Sequence, residues 1–174
     1  MKHVIWVVGA SSSGKQTFLN NILINEKLQD QVGIGTLKIA LEERSVKYPG
    51  DATILETVRE RELIPYDVAI LLQTEVEVVL IKWQYIDSLY NLPAKLEGGL
   101  YNAQHSVIVL EANEIDSLER LELKDWWRAK GFETAKELYD HEHVLINKHV
   151  TELSKSYEIV KLDSSNHADY RLLI

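Results

Sequence analysis

Apolar residues in this chain fall into short dense runs, separated by polar stretches whose apolar positions recur at helical spacing. His3 to Val8 is the first such run, rich in β-branched residues and closed by Gly9, and it predicts a strand buried on both faces at the centre of a sheet. Phe18, Leu19, Ile22 and Leu23 follow with helical periodicity, so the order begins strand, glycine-rich turn, helix. Residues 32–42, "VGIGTLKIALE", predict a second strand region. The stretch "KYPGDATILETVRERELI" predicts a helix: a Pro-Gly turn, Asp51 or Thr53 as N-cap, Glu56 completing a capping box, and Ile54, Leu55, Val58 and Leu63 as its buried stripe, up to Pro65. Residues 66–75, "YDVAILLQTE", read as a short helix or a strand, with helix preferred. Residues 76–83 and 105–112 predict two further strands, with loop and helix over 87–104 between them. Helix is predicted from Glu114 to about Ser156 with a break at Gly131, and "YEIVKLD" (157–163) is the last strand. Alternating strands and helices predict an α/β domain with a mainly parallel sheet.

Composition narrows what such a domain can do. With 174 residues, 45% of them hydrophobic, the chain has material for one core and one domain, 1–174. A formal net charge of −8 opposes nucleic acid and anionic membranes, so a small ligand held by local donors and cations is expected. The absence of cysteine excludes disulfides, thiolate metal sites and cysteine nucleophiles. The opening "MKHVIWVVGASSS" imitates a signal peptide, but its apolar run is short and a strand explains it better, so a cytoplasmic location is expected. No run approaches the roughly 20 apolar residues of a membrane helix. No internal repeat or low-complexity segment is present.

The chemistry concentrates in "VVGASSSGKQTFLNN", residues 7–21. Here G-x-x-x-x-G-K follows the first strand and opens an amphipathic helix, the context a phosphate-binding loop requires. Backbone N–H groups of residues 10 to 16 would wrap a phosphate at the helix N-terminus, where unpaired donors and the helix dipole favour anions. On this reading Gly9, Ala10, Ser11, Ser12, Ser13, Gly14, Lys15, Gln16 and Thr17 form the nucleotide cradle, and Lys15 reaches the outer phosphates. The usual pattern has a hydroxyl residue after the lysine for Mg²⁺, and Gln16 departs from it, because a neutral amide is a poorer ligand for a hard cation.

The nine residues "GASSSGKQT" resemble the loop of adenylate kinase and the nucleoside monophosphate kinases, G-x-x-x-x-G-K-G-T, in which a threonine stands one residue further on, as Thr17 does here. This resemblance to the P-loop NTPase superfamily implies a three-layer α/β/α sandwich with a mainly parallel five-stranded sheet, ATP and Mg²⁺ as cofactors, and Thr17 as the contact on the metal side. "HSVIVLEANEIDSLERL" resembles the segment of those kinases that leads into a basic lid, here about 114–135. The resemblance implies that Arg120 or Arg128, with Lys124 and Lys130, neutralises charge developing on the transferred group; a solvated helix face is the competing reading for each of them.

Other patterns shape the expectation. The strand nearest the loop should end in an acid that serves Mg²⁺, and it ends in Lys82, Trp83 and Gln84. Glu42 or Glu43, at the end of the second strand region, is the candidate for handling the phosphate acceptor, by analogy with nucleoside kinases, with a solvated charge cluster equally open; Asp87 and Glu111 also stand near strand ends. Ile81 and Gln84 replace the residues of the guanine-reading N-K-x-D element, which argues against a GTPase. His141, His143 and His149 lack the H-E-x-x-H spacing of a zinc helix, since Leu145 occupies the second position. Trp126 and Trp127 could stack a base, yet adjacent helix positions cannot both face one ligand, so packing explains them better. The sequence therefore predicts an ATP-dependent phosphotransferase acting on a small molecule, a nucleoside or nucleotide kinase, which could be a homodimer. The alternative is a catalytically weak nucleotide-binding module acting as a switch or assembly subunit.

Overall fold

The computed structural model describes residues 2–22, 25, 27–28, 52–56, 78–82 and 103–173. The described elements run β1 (Lys2–Gly9), α1 (Lys15–Ile22), β2 (Ala52–Glu56), β3 (Val78–Lys82), β4 (Ala103–Glu111), α2 (Glu114–Lys124), α3 (Trp126–Ala129), α4 (Ala135–Leu153), β5 (Glu158–Asp163) and β6 (Arg171–Leu173). Six strands form one sheet in the order β2-β3-β1-β4-β5-β6. The first five run parallel and β6 pairs antiparallel with β5, Asp163 opposite Arg171. The described residues thus form an α/β fold with a mixed sheet, in which β2 and β6 are not among the five strands expected.

β1 sits inside the sheet because its sequence can be nowhere else. Val4, Ile5, Trp6, Val7 and Val8 are all fully buried, so both faces of this strand are covered, as its unbroken apolar run demands. On one face Ile5 and Val7 meet Phe18, Leu19 and Ile22 of α1, together with Leu80, Ile108, Leu110, Leu162 and Tyr170. Phe18 and Tyr170 meet edge to face with ring centroids 5.4 Å apart, tying the start of α1 to the segment between β5 and β6.

One expected helix is a strand. Ala52–Glu56 pairs in parallel with Val78–Lys82 as β2, so Thr53 is no N-cap and Ile54 and Leu55 belong to a sheet. The capping-box spacing from Thr53 to Glu56 is met by chance, and pairing with β3 decides the outcome. The readings at 32–42, 66–75 and 87–102, and residues Glu42, Glu43 and Asp87, lie outside the described residues.

The expected helical stretch after Glu114 is broken twice. Asn113 caps α2, its side chain accepting the Asp116 N–H at 2.8 Å. Asp125 ends the helix in the left-handed conformation, φ 55°. After the short α3 the chain turns at Gly131, φ 85°, where glycine carries no steric cost. Thr134 then caps α4 by accepting the Glu137 N–H. Leu121, Trp127, Ala135 and Leu138 bury one another in a second, smaller cluster, with Leu118, Phe132 and Tyr139 against it. Among the described residues no helix is long and apolar enough to cross a membrane.

Candidate functional site

The loop between β1 and α1 is built on contacts that leave no room for side chains at its glycines. A Cβ at Gly9 would stand 2.8 Å from the Leu110 carbonyl oxygen and collide with the Ser13 hydroxyl. Gly14 has φ +81°, and a Cβ there would run into the ring of His167. Between them, the Ser13 N–H donates to the Ala10 carbonyl at 3.0 Å, closing the turn, and Lys15 opens α1. The hydroxyls of Ser12 and Ser13 are buried with no hydrogen-bond partner.

Lys15 is buried inside the loop it belongs to. Its ammonium donates to the Gly9 carbonyl at 2.7 Å and the Ala10 carbonyl at 2.9 Å. Burial pulls its pKa down from 10.5 to about 7; Glu142 acts in the opposite direction, while Lys82, Lys130 and Lys124 lower it further. A proton on Lys15 is therefore poised near neutral pH, and an anion in the cavity would fix it in place.

A cavity of 660 Å³ opens over the loop. Among the described residues its lining carries five cationic side chains, Lys15, Lys82, Arg120, Lys124 and Lys130, together with His167, and no carboxylate. In a chain of net charge −8 this is a local inversion of sign, and it selects for a multiply charged anion. Ser11, Ser12, Gly14, Gln16 and Thr17 line the same space, while Gly9, Ala10 and Ser13, also expected in the cradle, do not line it.

Three long-range connections assemble the rest. Arg120 of α2 donates from Nη1 to the Ser12 carbonyl at 3.0 Å and from Nη2 to the carbonyls of Ser164 (3.0 Å) and Ser165 (3.1 Å). One guanidinium thus clamps the loop to the turn after β5, a geometry that suits its rigid fork. Glu142 of α4, only 3% exposed, accepts the Ser11 N–H at 2.8 Å and the Ser11 hydroxyl at 2.7 Å. Lys130 reaches the same hydroxyl at 3.1 Å and Glu142 at 3.9 Å. Lys82, at the end of β3, donates to Gln16 Oε1 at 2.8 Å. His167 bonds the Tyr170 hydroxyl through Nδ1 at 2.9 Å. Burial, then Arg120, lowers the His167 pKa, which favours the neutral imidazole.

The sequence-predicted residues divide accordingly. Lys15, Thr17, Arg120, Lys124 and Lys130 converge on the cavity. Arg128 does not line it: its guanidinium lies 3.4 Å from Asp125, 68% exposed, and 4.7 Å from the Trp127 ring centroid. The left-handed Asp125 breaks the helical register, so the spacing from Arg120 to Arg128 does not carry across it. His141 packs on Phe132 and His143 on Tyr139, and Trp127 belongs to the small cluster. Sequence reading missed Glu142, His167 and the role of Lys82. For Glu142 a signal existed: Leu138, Glu142, Ile146 and Val150 form one buried stripe at four-residue steps, and an acid on such a stripe requires a partner.

The expectation of Mg²⁺ fits the described donors poorly. Mg²⁺ is held by one or two carboxylates together with phosphate oxygens and water. The cavity lining supplies hydroxyls, one amide and five cations instead, and the sheet position beside the loop carries Lys82.

No family model matches this sequence, and no curated protein does either. Among solved structures, the chain is similar to an unliganded sugar kinase from Janibacter sp. HTCC2649, with 13% sequence identity over 95% of this chain and 87% of that one and a TM-score of 0.48. So distant a likeness assigns neither activity nor substrate.

Proposed function

We propose that this cavity binds the phosphate chain of a nucleotide, ATP, and that the domain transfers the terminal phosphoryl group to a small acceptor. One observation carries the reading: a glycine-rich turn with a buried lysine at a helix N-terminus faces a cavity whose described lining holds five cations and no carboxylate. Loop amides hold the phosphate chain and Lys15 reaches its outer phosphates, with Lys124 and Lys130 lining the same cavity. Phosphoryl transfer needs little covalent help from the protein, and such cations supply its main requirement, stabilisation of charge on the moving group. The acceptor oxygen bonds to the terminal phosphorus as the bond to the bridging oxygen breaks. ADP leaves, and Glu42 or Glu43 takes the acceptor proton in this reading.

Melting temperature with ATP, ADP and pyrophosphate tests the binding step, since ligand at 100 times its Kd adds about 2.7 kcal/mol. A shift lost in Lys15→Ala supports the assignment, and an unchanged shift in that variant sinks it. ADP release in the presence of nucleosides, nucleotides or sugars then tests transfer.

A second reading is favoured by Glu142, whose carboxylate occupies the Ser11 N–H that a phosphate would take. In it the domain binds nucleotide without turnover and serves as a switch or an assembly subunit. Tight ATP binding with no ADP formation for any acceptor would select it.

A further inference from the structure

Two departures from the phosphate-loop pattern, Gln16 where a hydroxyl is usual and Lys82 where an acid is usual, are bonded to each other. The Lys82 ammonium lies 2.8 Å from Gln16 Oε1. The amide is held at both ends: Gln16 Nε2 donates to Asn20 Oδ1 at 2.7 Å, which fixes Oε1 as the acceptor turned toward Lys82. β3 is hydrogen-bonded directly to β1, with Lys82 beside Val7 in the register, so the ammonium leaves the sheet at its carboxyl edge, next to the loop and on the cavity wall.

A divalent cation bound to a nucleotide in such a loop uses the hydroxyl after the lysine and an acid from a neighbouring strand. Here those two places hold an amide and a cation; Thr17, one residue further on, lines the cavity and still offers a hydroxyl, but no acid stands beside it among the described lining residues. An ammonium there repels a divalent ion, and the amide that could have been its ligand already accepts from that ammonium. The only acid at this level in the described part of β2 and β3 is Glu56, opposite Lys82 in the register, one strand spacing further from β1. The other charges of the described lining residues are also positive, and they are best matched by a phosphate chain with its full negative charge, which a bound metal would reduce.

Resting on the reading of this cavity as a phosphate site, we propose that it takes a metal-free oligophosphate, with Lys82, held by Gln16, standing as a built-in replacement for the divalent ion. The ligand class is the free diphosphate or triphosphate anion. Mg²⁺ is a competitor for that ligand and not a cofactor of its binding.

The test is titration calorimetry of pyrophosphate and of ATP into the full chain, once in EDTA and once in excess Mg²⁺. Wild type is expected to bind in EDTA with affinity on the order of tenfold above that in Mg²⁺, the loss of one charge-assisted contact. Lys82→Met should lose about tenfold in EDTA, with Lys82→Arg restoring most of it. Lys82→Asp should reverse the preference, so that binding comes to need Mg²⁺. Circular dichroism of each variant checks that the fold is kept. Wild-type affinity rising about tenfold with Mg²⁺ overturns the proposal, and loss of that rise in Glu56→Gln would place a metal site on β2. An unchanged EDTA affinity in Lys82→Met also overturns it. Absence of binding for either anion in both conditions strikes instead at the phosphate-site reading beneath it.

Discussion

The loop side of the cavity stands on the main core, with Phe18, Leu19 and Ile22 of α1 packed on a fully buried central strand. The helical side stands on a cluster of its own, drawn from α2, α3, α4 and the turns joining them. The two are joined at the cavity by polar contacts: Arg120 to Ser12, Lys130 to Ser11, and Glu142 to Ser11. The loop half of the site thus stands on the main core, and the helical half meets it at the cavity through hydrogen bonds that a bound anion can compete for. Local stability follows local burial, so the helical side is the one expected to adjust when ligand enters.

Core truncations give the largest expected effect and test the division directly. Phe18→Ala should cost about 3–5 kcal/mol and lower amide protection across the whole domain. Leu138→Ala should cost about 2 kcal/mol, the low end for Leu→Ala because a thin cluster can collapse. Its loss of protection should be confined to α2–α4. Hydrogen exchange read by segment separates the two, and a global loss in both variants would mean that the small cluster is no separate unit.

Lys15→Met should weaken ATP or pyrophosphate by roughly 10- to 150-fold, the range for charge-assisted hydrogen bonds. The same substitution has a signed effect on stability. Burial holds the Lys15 pKa at about 7, below its unfolded value of 10.5, so between these values the unfolded chain binds the extra proton. Stability of the wild type therefore climbs as pH rises from about 7 towards 10.5, and the variant lacks this climb. Across that window the melting temperature of the wild type should rise relative to that of the variant as pH increases; a constant difference would show that Lys15 carries no depressed pKa.

Glu142→Gln probes the fastening. Replacing the carboxylate with an amide leaves Ser11 an acceptor but removes a negative charge beside the loop. Pyrophosphate affinity should rise about three- to tenfold, an effect of roughly 1 kcal/mol. A fall would mean that Glu142 holds Ser11 in the productive position and does not compete with the ligand.

The smallest effect is a proton. An anion beside Lys15 raises its pKa from about 7, so binding above neutral pH draws in a proton, and affinity declines as pH rises. Calorimetry at pH 8 in buffers of different ionisation enthalpy should register uptake of about one proton per ligand.

Continuity in the chain governs what the sequence disclosed. β1, the loop and α1 follow one another, so strand, turn and helix could be read as a unit, and Lys15 fell where the pattern puts it. β2 was legible only as an apolar run, since Ala52–Glu56 satisfies helical capping and strand alike, and its pairing partner lies two dozen residues away. β6, three residues long, is too short to leave a periodic signal. Around the site, Arg120 could be found by its place on a helix, but its three carbonyl partners could not, because backbone acceptors have no identity in a sequence. Lys82 was visible as the absence of an acid. Only the fold, by setting β3 next to β1, turns that absence into a contact with Gln16.

The ring of His167 fills the space that a side chain at Gly14 would need, and its imidazole is anchored to Tyr170. An aromatic ring thus lies against the one left-handed residue of the loop, where its carbon-bound protons experience whatever field the loop contains. The protein consequently carries its own spectroscopic reporter: His167 resonances can be followed by NMR without labels attached near the cavity, and their displacement on titration would read the occupancy of the loop from inside it.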